Sequence, residues 1–268
     1  MEYSPFSQRF IKGILNSEGL WLSKSRGQNY LIDRSIAEKI VKNIPKDKPI
    51  FEVGTGLGAL TSLAMQTNKI YSLEIDAGIY KLLLSMINHP NLNLIHADFL
   101  KYNLDSLPES ELFFLSNLPY SISGEVIRVF TENPKFREGV VMVQAEFADK
   151  MLAETGDKSY GVFSVLCRTF LEIKRVFNVP RGAFFPVPGV DSVVIVISKK
   201  QCGIVQSEFR NFLLQAFKSK RKTLYNNLKL LDFSTGDIES LGISPKSRPE
   251  EIDIEEWEKL FRHYLSKK

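Results

Sequence analysis

The sequence predicts an α/β protein, with a mostly parallel sheet flanked by helices, an antiparallel last pair of strands, and a small all-helical domain after it. Three observations carry that prediction. From residue 50 to 144, short apolar runs alternate with stretches of helical period, the pattern of repeated βα units whose strands lie parallel with helices on both faces. Two more strand-like runs, Lys174 to Val179 and Ser192 to Ser198, follow with only a Pro-rich loop between them, which suits an antiparallel pair. Beyond about residue 201 every apolar pattern has the helical period.

In order, the parallel strands read as Ile50 to Val53, Lys69 to Leu73, Leu92 to His96, Glu111 to Ser116 and Val140 to Val143. Leu60, Leu63, Ala64 and Thr67 mark the face of one intervening helix, and Ile79, Leu82, Leu83, Met86 and Ile87 that of the next. Ahead of the sheet, Asp33 is placed to cap a helix carrying Ile36, Ile40, Val41 and Ile44, which Lys48-Pro49 closes off. Glu146 to Ala153 read as helical. In the C-terminal part Phe209, Phe212, Leu213, Ala216 and Phe217 form one helix face, and Asp253-x-x-Glu256 opens the last helix, faced by Trp257, Leu260, Phe261, Tyr264 and Leu265.

Composition bounds the function classes. At 268 residues, with 44% hydrophobic and 25% charged side chains, the chain has enough apolar material for one large domain and a small one. Its 35 Lys and Arg against 31 Asp and Glu lean towards a polyanionic partner. Cys167 and Cys202 stand far apart and form neither a disulfide framework nor a metal spacing, which suits a reducing compartment. No run approaches the roughly 18 apolar residues of a membrane span, and Met-Glu-Tyr-Ser-Pro at the start lacks a basic cap and an apolar signal core. A cytoplasmic location and a monomer are expected.

The chemistry gathers where the strands end. Ligands of open α/β sheets sit beyond the carboxyl ends of the strands, and Gly54, Glu74, Asp98 and Asn117 fall there, one per successive strand. Phe51 to Gly58 reads Phe-Glu-Val-Gly-Thr-Gly-Leu-Gly, an apolar strand closing in a turn whose glycines let main chain lie flat against a ligand. The third glycine comes one residue earlier than in a dinucleotide fingerprint, as in S-adenosylmethionine (AdoMet) sites. Glu74, twenty positions after Gly54, can accept both hydroxyls of a ribose. Asp98 suits either an adenine amine or a helix cap.

Asn117-Leu118-Pro119-Tyr120 can hold an adenine. The exocyclic amine of adenine is a poor nucleophile because its lone pair is delocalised into the ring. Two acceptors, the Asn117 amide oxygen and the Leu118 carbonyl, would favour the tetrahedral nitrogen, while Pro119 stiffens the turn and Tyr120 offers a stacking face. The plainer alternative is a proline turn with Tyr120 in the core. Upstream, Arg9, Lys12, Lys24 and Arg26 outnumber Glu2 and Glu18 in residues 1–32, an arm that ends in Gly27-Gln28-Asn29-Tyr30-Leu31 beside the glycine turn, or else a partly ordered tail. Lys218, Lys220, Arg221 and Lys222 crowd five positions and read as phosphate contacts or as a solvated face.

These motifs recur in one order over nearly the whole chain. They continue through Glu74-Ile75-Asp76, Ala97-Asp98, Asn117 to Ser123, Val143-Gln144-Ala145-Glu146, Ser159-Tyr160-Gly161, Ala183-Phe184-Phe185-Pro186-Val187-Pro188-Gly189-Val190-Asp191-Ser192 and Ser219 to Leu224. In this the chain resembles the ribosomal RNA adenine N6,N6-dimethyltransferase family of the small subunit. The resemblance implies a Rossmann-like class I AdoMet-dependent methyltransferase that uses no metal. It implies an AdoMet site lined by Asn29, Leu31, Gly54, Glu74, Asp98 and Asn117, and a target adenine clamped by Asn117, Leu118 and Tyr120 with Phe184 stacking opposite. The implied partner is the small ribosomal subunit and its 16S rRNA, where two adjacent adenosines in a hairpin loop near the 3′ end would be dimethylated. The expected division is a basic arm over 1–32, a methyltransferase domain over 33–200 and a helical RNA-binding domain over 201–268. Ala145 and Gly189 stand where the family often has lysine, and Ser121 where it often has asparagine or tyrosine. The rival readings are an antibiotic-resistance methyltransferase of large-subunit rRNA, which shares the clamp, and an assembly factor that only binds RNA.

Overall fold

The computed structural model describes residues 3–20 and 28–268 of the chain, so Glu2, Lys24, Arg26 and Gly27 of the expected arm lie outside the described residues. The described part of the arm forms a helix, α1 (Gln8–Ser17), started by the Ser7 hydroxyl, which accepts from the Phe10 N–H at 3.2 Å. A two-residue strand, β1 (Tyr30–Leu31), and α2 (Arg34–Val41) follow, the latter capped by the Asp33 carboxylate on the Ile36 N–H. The βα succession is β2 (Ile50–Val53), α3 (Thr61–Ala64), β3 (Ile70–Glu74), α4 (Ala77–Met86), β4 (Leu92–His96), β5 (Leu112–Asn117), α5 (Ser123–Glu132) and β6 (Phe136–Gln144). After it come α6 (Ala145–Leu152), α7 (Val162–Phe170), β7 (Leu171–Val179), β8 (Phe184–Phe185) and β9 (Ser192–Lys199). The chain ends in α8 (Gln206–Ala216), α9 (Leu224–Leu228), α10 (Thr235–Ser240) and α11 (Ile254–Ser266).

Seven strands form one sheet in the order β4-β3-β2-β5-β6-β9-β7. The first five run parallel, and β9 joins β6 antiparallel along seven residues, Glu138 to Gln144 against Ser198 to Ser192. The α/β class with a mostly parallel sheet is therefore the observed one. β9 lies between β6 and β7, so the reversed strand is inserted inside the sheet edge. Strand β6 is longer than the Val140 to Val143 run the sequence marks, because Phe136 pairs with Leu112 and a register shift then brings Gly139 opposite Phe114. α3 is one short turn, shorter than its apolar face implies.

The chain divides into two compact units, one comprising Met1–Ala145 and Ile173–Lys199, the other Glu146–Glu172 and Lys200–Lys268. In the first, one apolar cluster joins α2 and α3 to β2, β5, β6 and β9 through Ile36, Ile40, Ala64, Phe113, Leu115 and Val140. An aromatic group packs around Phe114, whose ring lies 5.1 Å from Phe136 and 5.5 Å from Phe130, both edge to face. α1 buries Phe10, Ile11 and Leu15 with Ile79, Leu82 and Leu83 of α4, so the arm is a packed helix rather than a tail.

The second unit takes in residues 146–172, which the sequence reading kept with the sheet. Their apolar side chains, Ala153, Tyr160, Val165 and Phe170, belong to the cluster built by Phe209, Phe212, Trp257 and Phe261. The Tyr160 hydroxyl donates to the Ile252 carbonyl at 2.6 Å. α11 starts as its sequence requires, with Asp253 and Glu256 each accepting the other's main-chain N–H. No helix among the described residues is long and apolar enough to cross a membrane.

Gly139 offers a test of the sheet. A Cβ there would lie 2.6 Å from the Phe114 carbonyl oxygen, so Gly139→Ala should lower the unfolding free energy by about 1–3 kcal/mol. Gly124 in α5 has open space where its Cβ would go, and Gly124→Ala should instead raise it by about 0.4–1 kcal/mol. Urea unfolding of the two variants beside wild type checks both signs.

Candidate active site

At the carboxyl ends of β2, β3 and β5 the first unit opens into a cavity of about 110 Å3. Its wall includes Asn29, Leu31, Gly54, Gly56, Glu74, Asn117, Leu118 and Tyr120. Thus most of the side chains singled out from sequence converge on one place, although they come from four separate segments.

The glycine turn is shaped as its composition demands. Gly54, Gly56 and Gly58 have φ of 78°, 54° and 72°, a region costly for side chains. A Cβ on Gly54 would find only Pro119 at 3.9 Å, whereas one on Gly56 would press on the Tyr30 ring at 3.2 Å. Main chain at the first glycine is therefore bare towards the cavity, and at the second it is bound closely by β1. Those two properties fit a flat nucleoside-like ligand laid against the turn.

Glu74 ends β3 with its carboxylate inside the cavity wall. One oxygen accepts the Gly56 N–H and the other the Asp76 N–H, each at 2.9 Å. Burial raises its pKa, opposed by those two main-chain donors. Each oxygen keeps a second lone pair, so the group that stiffens the turn can also accept ribose hydroxyls.

A residue the sequence reading missed, Glu52, lies beside it. Glu52 sits within β2 at 1% exposure yet contributes to the cavity wall. One of its oxygens accepts from the Thr61 hydroxyl at 2.6 Å and the Ser72 hydroxyl at 2.5 Å, and Ser72 in turn meets the Thr55 hydroxyl at 2.6 Å. Burial pushes the carboxyl up to about 7, Ser72 and Thr61 pull it down, and Glu74 adds to the rise. The signal in the sequence is an acid inside an apolar strand run, Ile-Phe-Glu-Val, because an acid is rarely buried there without a purpose. Tyr3 was also missed. Its hydroxyl donates to the Leu57 carbonyl of the glycine turn at 2.6 Å, and burial raises its pKa.

The Asn-Leu-Pro-Tyr turn leaves β5 at the cavity. Asn117 Nδ2 donates to the Asn29 carbonyl at 3.2 Å, which ties the amide through its nitrogen and leaves Oδ1 as its acceptor atom. Leu118 is 1% exposed and belongs to the cavity wall; its N–H is taken by the Met142 carbonyl at 3.0 Å. Pro119 holds φ at −59° and its carbonyl accepts the Ser123 hydroxyl at 3.0 Å, closing the turn onto α5. Tyr120 is half-buried with its hydroxyl 3.4 Å from the Ser192 hydroxyl of β9, and burial raises its pKa.

Two expected residues are placed otherwise. Phe184 does not present its ring to the cavity. It is 1% exposed, pairs with Leu31 across β1 and β8, and packs in the cluster of Ile36, Ala37 and Ala183, so the stacking surface assigned to it is used by the core. Phe185 is the half-buried ring, with Lys12 Nζ 5.2 Å from its centre. Asp98 stands outside the cavity wall and accepts from the Leu100 N–H at 3.0 Å, the cap role named as its alternative. Lys218, Lys220, Arg221 and Lys222 are exposed and belong to the second unit.

The Glu52 pKa has a definite sign in stability. Its folded value of about 7 exceeds the ordinary 4.5, so folding favours the neutral acid; the associated stability is full below the unfolded pKa and is lost as pH rises through about 7. Glu52→Gln keeps an oxygen for Ser72 and Thr61 without an ionisable proton. Relative to wild type the variant should therefore gain on the order of 3 kcal/mol in unfolding free energy between about pH 4 and pH 9. Denaturant unfolding of both proteins across that range, without added ligand, checks it.

The model of the family described as ribosomal RNA adenine dimethylase matches residues 21–266. Ribosomal RNA small subunit methyltransferase A of Mycoplasma mobile is 38% identical over 246 residues, covering 89% of this chain and 96% of that protein. The protein of the same name from Thermotoga neapolitana is 37% identical over 253 residues, covering 92% and 93%. Among solved structures, a dimethyladenosine transferase from Plasmodium falciparum superposes with a TM-score of 0.76 at 26% identity, covering 88% of this chain and 97% of its own. The 23S rRNA methyltransferase ErmE shares the fold, with a TM-score of 0.67 at 24% identity, covering 88% and 99%. A match running from residue 21 to 266, with relatives at 37% and 38% identity along most of both chains, leaves one assignment: the chain belongs to the ribosomal RNA adenine dimethylase family.

Proposed function

We propose that the protein transfers methyl groups from AdoMet to N6 of two adjacent adenosines in a hairpin loop near the 3′ end of 16S rRNA, acting as a monomer on the small ribosomal subunit in the cytoplasm. The observation that carries the reading is the Asn117 amide. With Nδ2 committed to the Asn29 carbonyl, Oδ1 is left as an acceptor on a cavity wall that also holds Leu118 and Tyr120. The similarity to small-subunit methyltransferases at 37% and 38% identity favours that substrate over large-subunit rRNA.

AdoMet supplies a methyl group on a sulfonium that already carries its leaving group, so the protein's task is to position and polarise the amine. Gly54 and Gly56 give the bare main chain, Glu74 the ribose acceptor and Asn29 and Leu31 the facing wall. Asn117 Oδ1 and the Leu118 carbonyl each take one N6 hydrogen of the target adenine, drawing the nitrogen lone pair out of the ring. Tyr120 stacks on the base, a contact worth roughly 1–3 kcal/mol. At each transfer the methylated nitrogen gives up one N6 proton to water while the sulfur leaves as a neutral thioether; after the first, one N6 hydrogen remains, and either acceptor can hold it for the second. Lys218, Lys220, Arg221 and Lys222 meet rRNA phosphates.

The reading is tested by incubating the protein with labelled AdoMet and small subunits that lack the modification, then mapping the label. Label on two neighbouring adenosines near the 3′ end supports it; label elsewhere in 16S rRNA, none at all, or label only on large subunits offered in a parallel reaction, sinks it.

Two variants separate cofactor binding from chemistry. Glu74→Ala should weaken AdoMet binding in calorimetric titration by at least about tenfold, the scale of one charge-assisted hydrogen bond. Asn117→Ala should slow single-turnover methylation by on the order of 100- to 1000-fold at saturating AdoMet and subunit. Subunit binding by that variant should stay close to wild type, since Tyr120 and the basic run are untouched. A rate within about threefold of wild type, far short of that loss, would return the turn to an ordinary proline turn.

A further inference from the structure

One buried amide helps to hold the basic run of the second unit, beside the bond from the Lys222 N–H to the Ser219 carbonyl at 3.0 Å and that from Lys220 Nζ to the Tyr160 carbonyl at 3.5 Å. Lys218, Lys220, Arg221 and Lys222 are exposed, and among the described residues none of them has an ion-pair partner. Four cations within five residues repel one another, so a turn made of them would open unless its main chain were tied from elsewhere.

Asn227 supplies the tie. It lies in α9 at 5% exposure, between Leu224 and Leu228, which are fully buried. Its Oδ1 accepts the Ser219 N–H at 3.0 Å, and its Nδ2 faces the carbonyls of Ser219 at 3.1 Å, Thr223 at 3.1 Å and Lys222 at 3.4 Å. The amide thus grips the run at both ends, before Lys220 and after Arg221. The helix that carries it is anchored in turn, because the Leu224 and Tyr225 N–H groups donate to the Ser247 and Pro245 carbonyls at 2.6 and 3.2 Å. An amide is the side chain that suits this place. It has an acceptor for one N–H and two donors for three carbonyls, with no charge to add to the crowd.

We propose that Asn227 is a positioning residue for RNA binding: it touches no phosphate, and it holds Lys218, Lys220, Arg221 and Lys222 in the tight curve from which they reach successive phosphates. The inference rests on the reading of the run as a phosphate contact, and its test separates the two. Wild type, Asn227→Ala, the triple variant Lys220→Ala/Arg221→Ala/Lys222→Ala and the combination of all four changes are compared. Each is assayed for affinity to small subunits lacking the modification as salt is raised from roughly 50 to 200 mM.

Asn227→Ala should lose about tenfold or more in affinity at low salt and show a flatter salt dependence, in the direction of the triple variant, because misplaced cations release fewer counterions. In the triple background the same change should cost little more, since residues that act together are not additive. AdoMet affinity should stay at the wild-type value throughout. A general loss of stability would leave the salt slope of the folded protein alone and would cost as much in either background.

A folded Asn227→Ala with wild-type affinity and slope overturns the inference, as does a loss of equal size in both backgrounds. If the triple variant itself keeps the wild-type slope, the reading of the run fails and the inference goes with it. Should Asn227→Ala not fold, Asn227→Asp takes its place. It keeps the acceptor for Ser219 and nearly the same volume but turns an anion towards the Lys222 and Thr223 carbonyls, so the same weakening and flattening are expected, and wild-type values overturn the inference.

Discussion

The site depends on a backbone constraint: three alternate residues between β2 and α3 must turn left-handed within five positions. Only glycine does this without strain, and the consequences spread to every neighbouring segment. The bare Cα of Gly56 lets the Tyr30 ring approach, which brings in β1 and, through its pairing, β8. The Gly56 N–H, freed from any helix, is taken by Glu74 at the end of the next strand. The carbonyl of Leu57 is taken by Tyr3 ahead of α1. The turn is therefore rigid because residues distant in sequence each satisfy one of its polar groups, and this rigidity is what a preformed ligand cradle needs.

The electrostatics follow from the same crowding. Two carboxylates, Glu52 and Glu74, share the cavity wall, both are buried, and the charge of Glu74 raises the pKa of Glu52. They are satisfied differently. Glu74 is held by two main-chain N–H groups and Glu52 by two hydroxyls, and in both cases the donors favour the anion while burial opposes it, driving Glu52 up to about 7. The result is one carboxylate built to accept and another close to the neutral form, so the wall carries less negative charge than its composition implies.

What could be read from the sequence was whatever depends on local pattern. The strands at Ile50–Val53 and Leu92–His96, the caps at Asp33 and Asp253, the left-handed turn and the acid twenty residues later all follow from neighbouring residues. What failed depends on distant partners. Phe184 sits in a Pro-rich stretch that reads as a rigid aromatic loop, and it is buried where β8 pairs with β1, Leu31 lying opposite it from far away in the chain. Residues 146–172 have the helical period required of them, but nothing local says that Tyr160 will bond to Ile252 and join the aromatic cluster of the second unit. Glu52 shows the third kind of failure: the acid was visible in its strand, and its meaning needed the hydroxyls of Thr61 and Ser72 to be brought beside it.

In the role proposed for Asn117, an amide suits a wall that already holds those carboxylates. A carboxylate there would be a stronger acceptor for an adenine amine, and charged acceptors make roughly twice as strong a hydrogen bond. It would also be a third acid in a wall where burial and like charge already lift the other two, and part of the population would hold a proton. A protonated carboxyl donates, and a donor facing the nitrogen would bind the lone pair that must attack. It would also lose the donor that Nδ2 gives to the Asn29 carbonyl, the bond that orients the group. The amide cannot titrate, its orientation is fixed by its own second atom, and its oxygen remains an acceptor at any pH at which the fold persists. A weaker acceptor that is always in the right state serves this reaction better than a stronger one that is not.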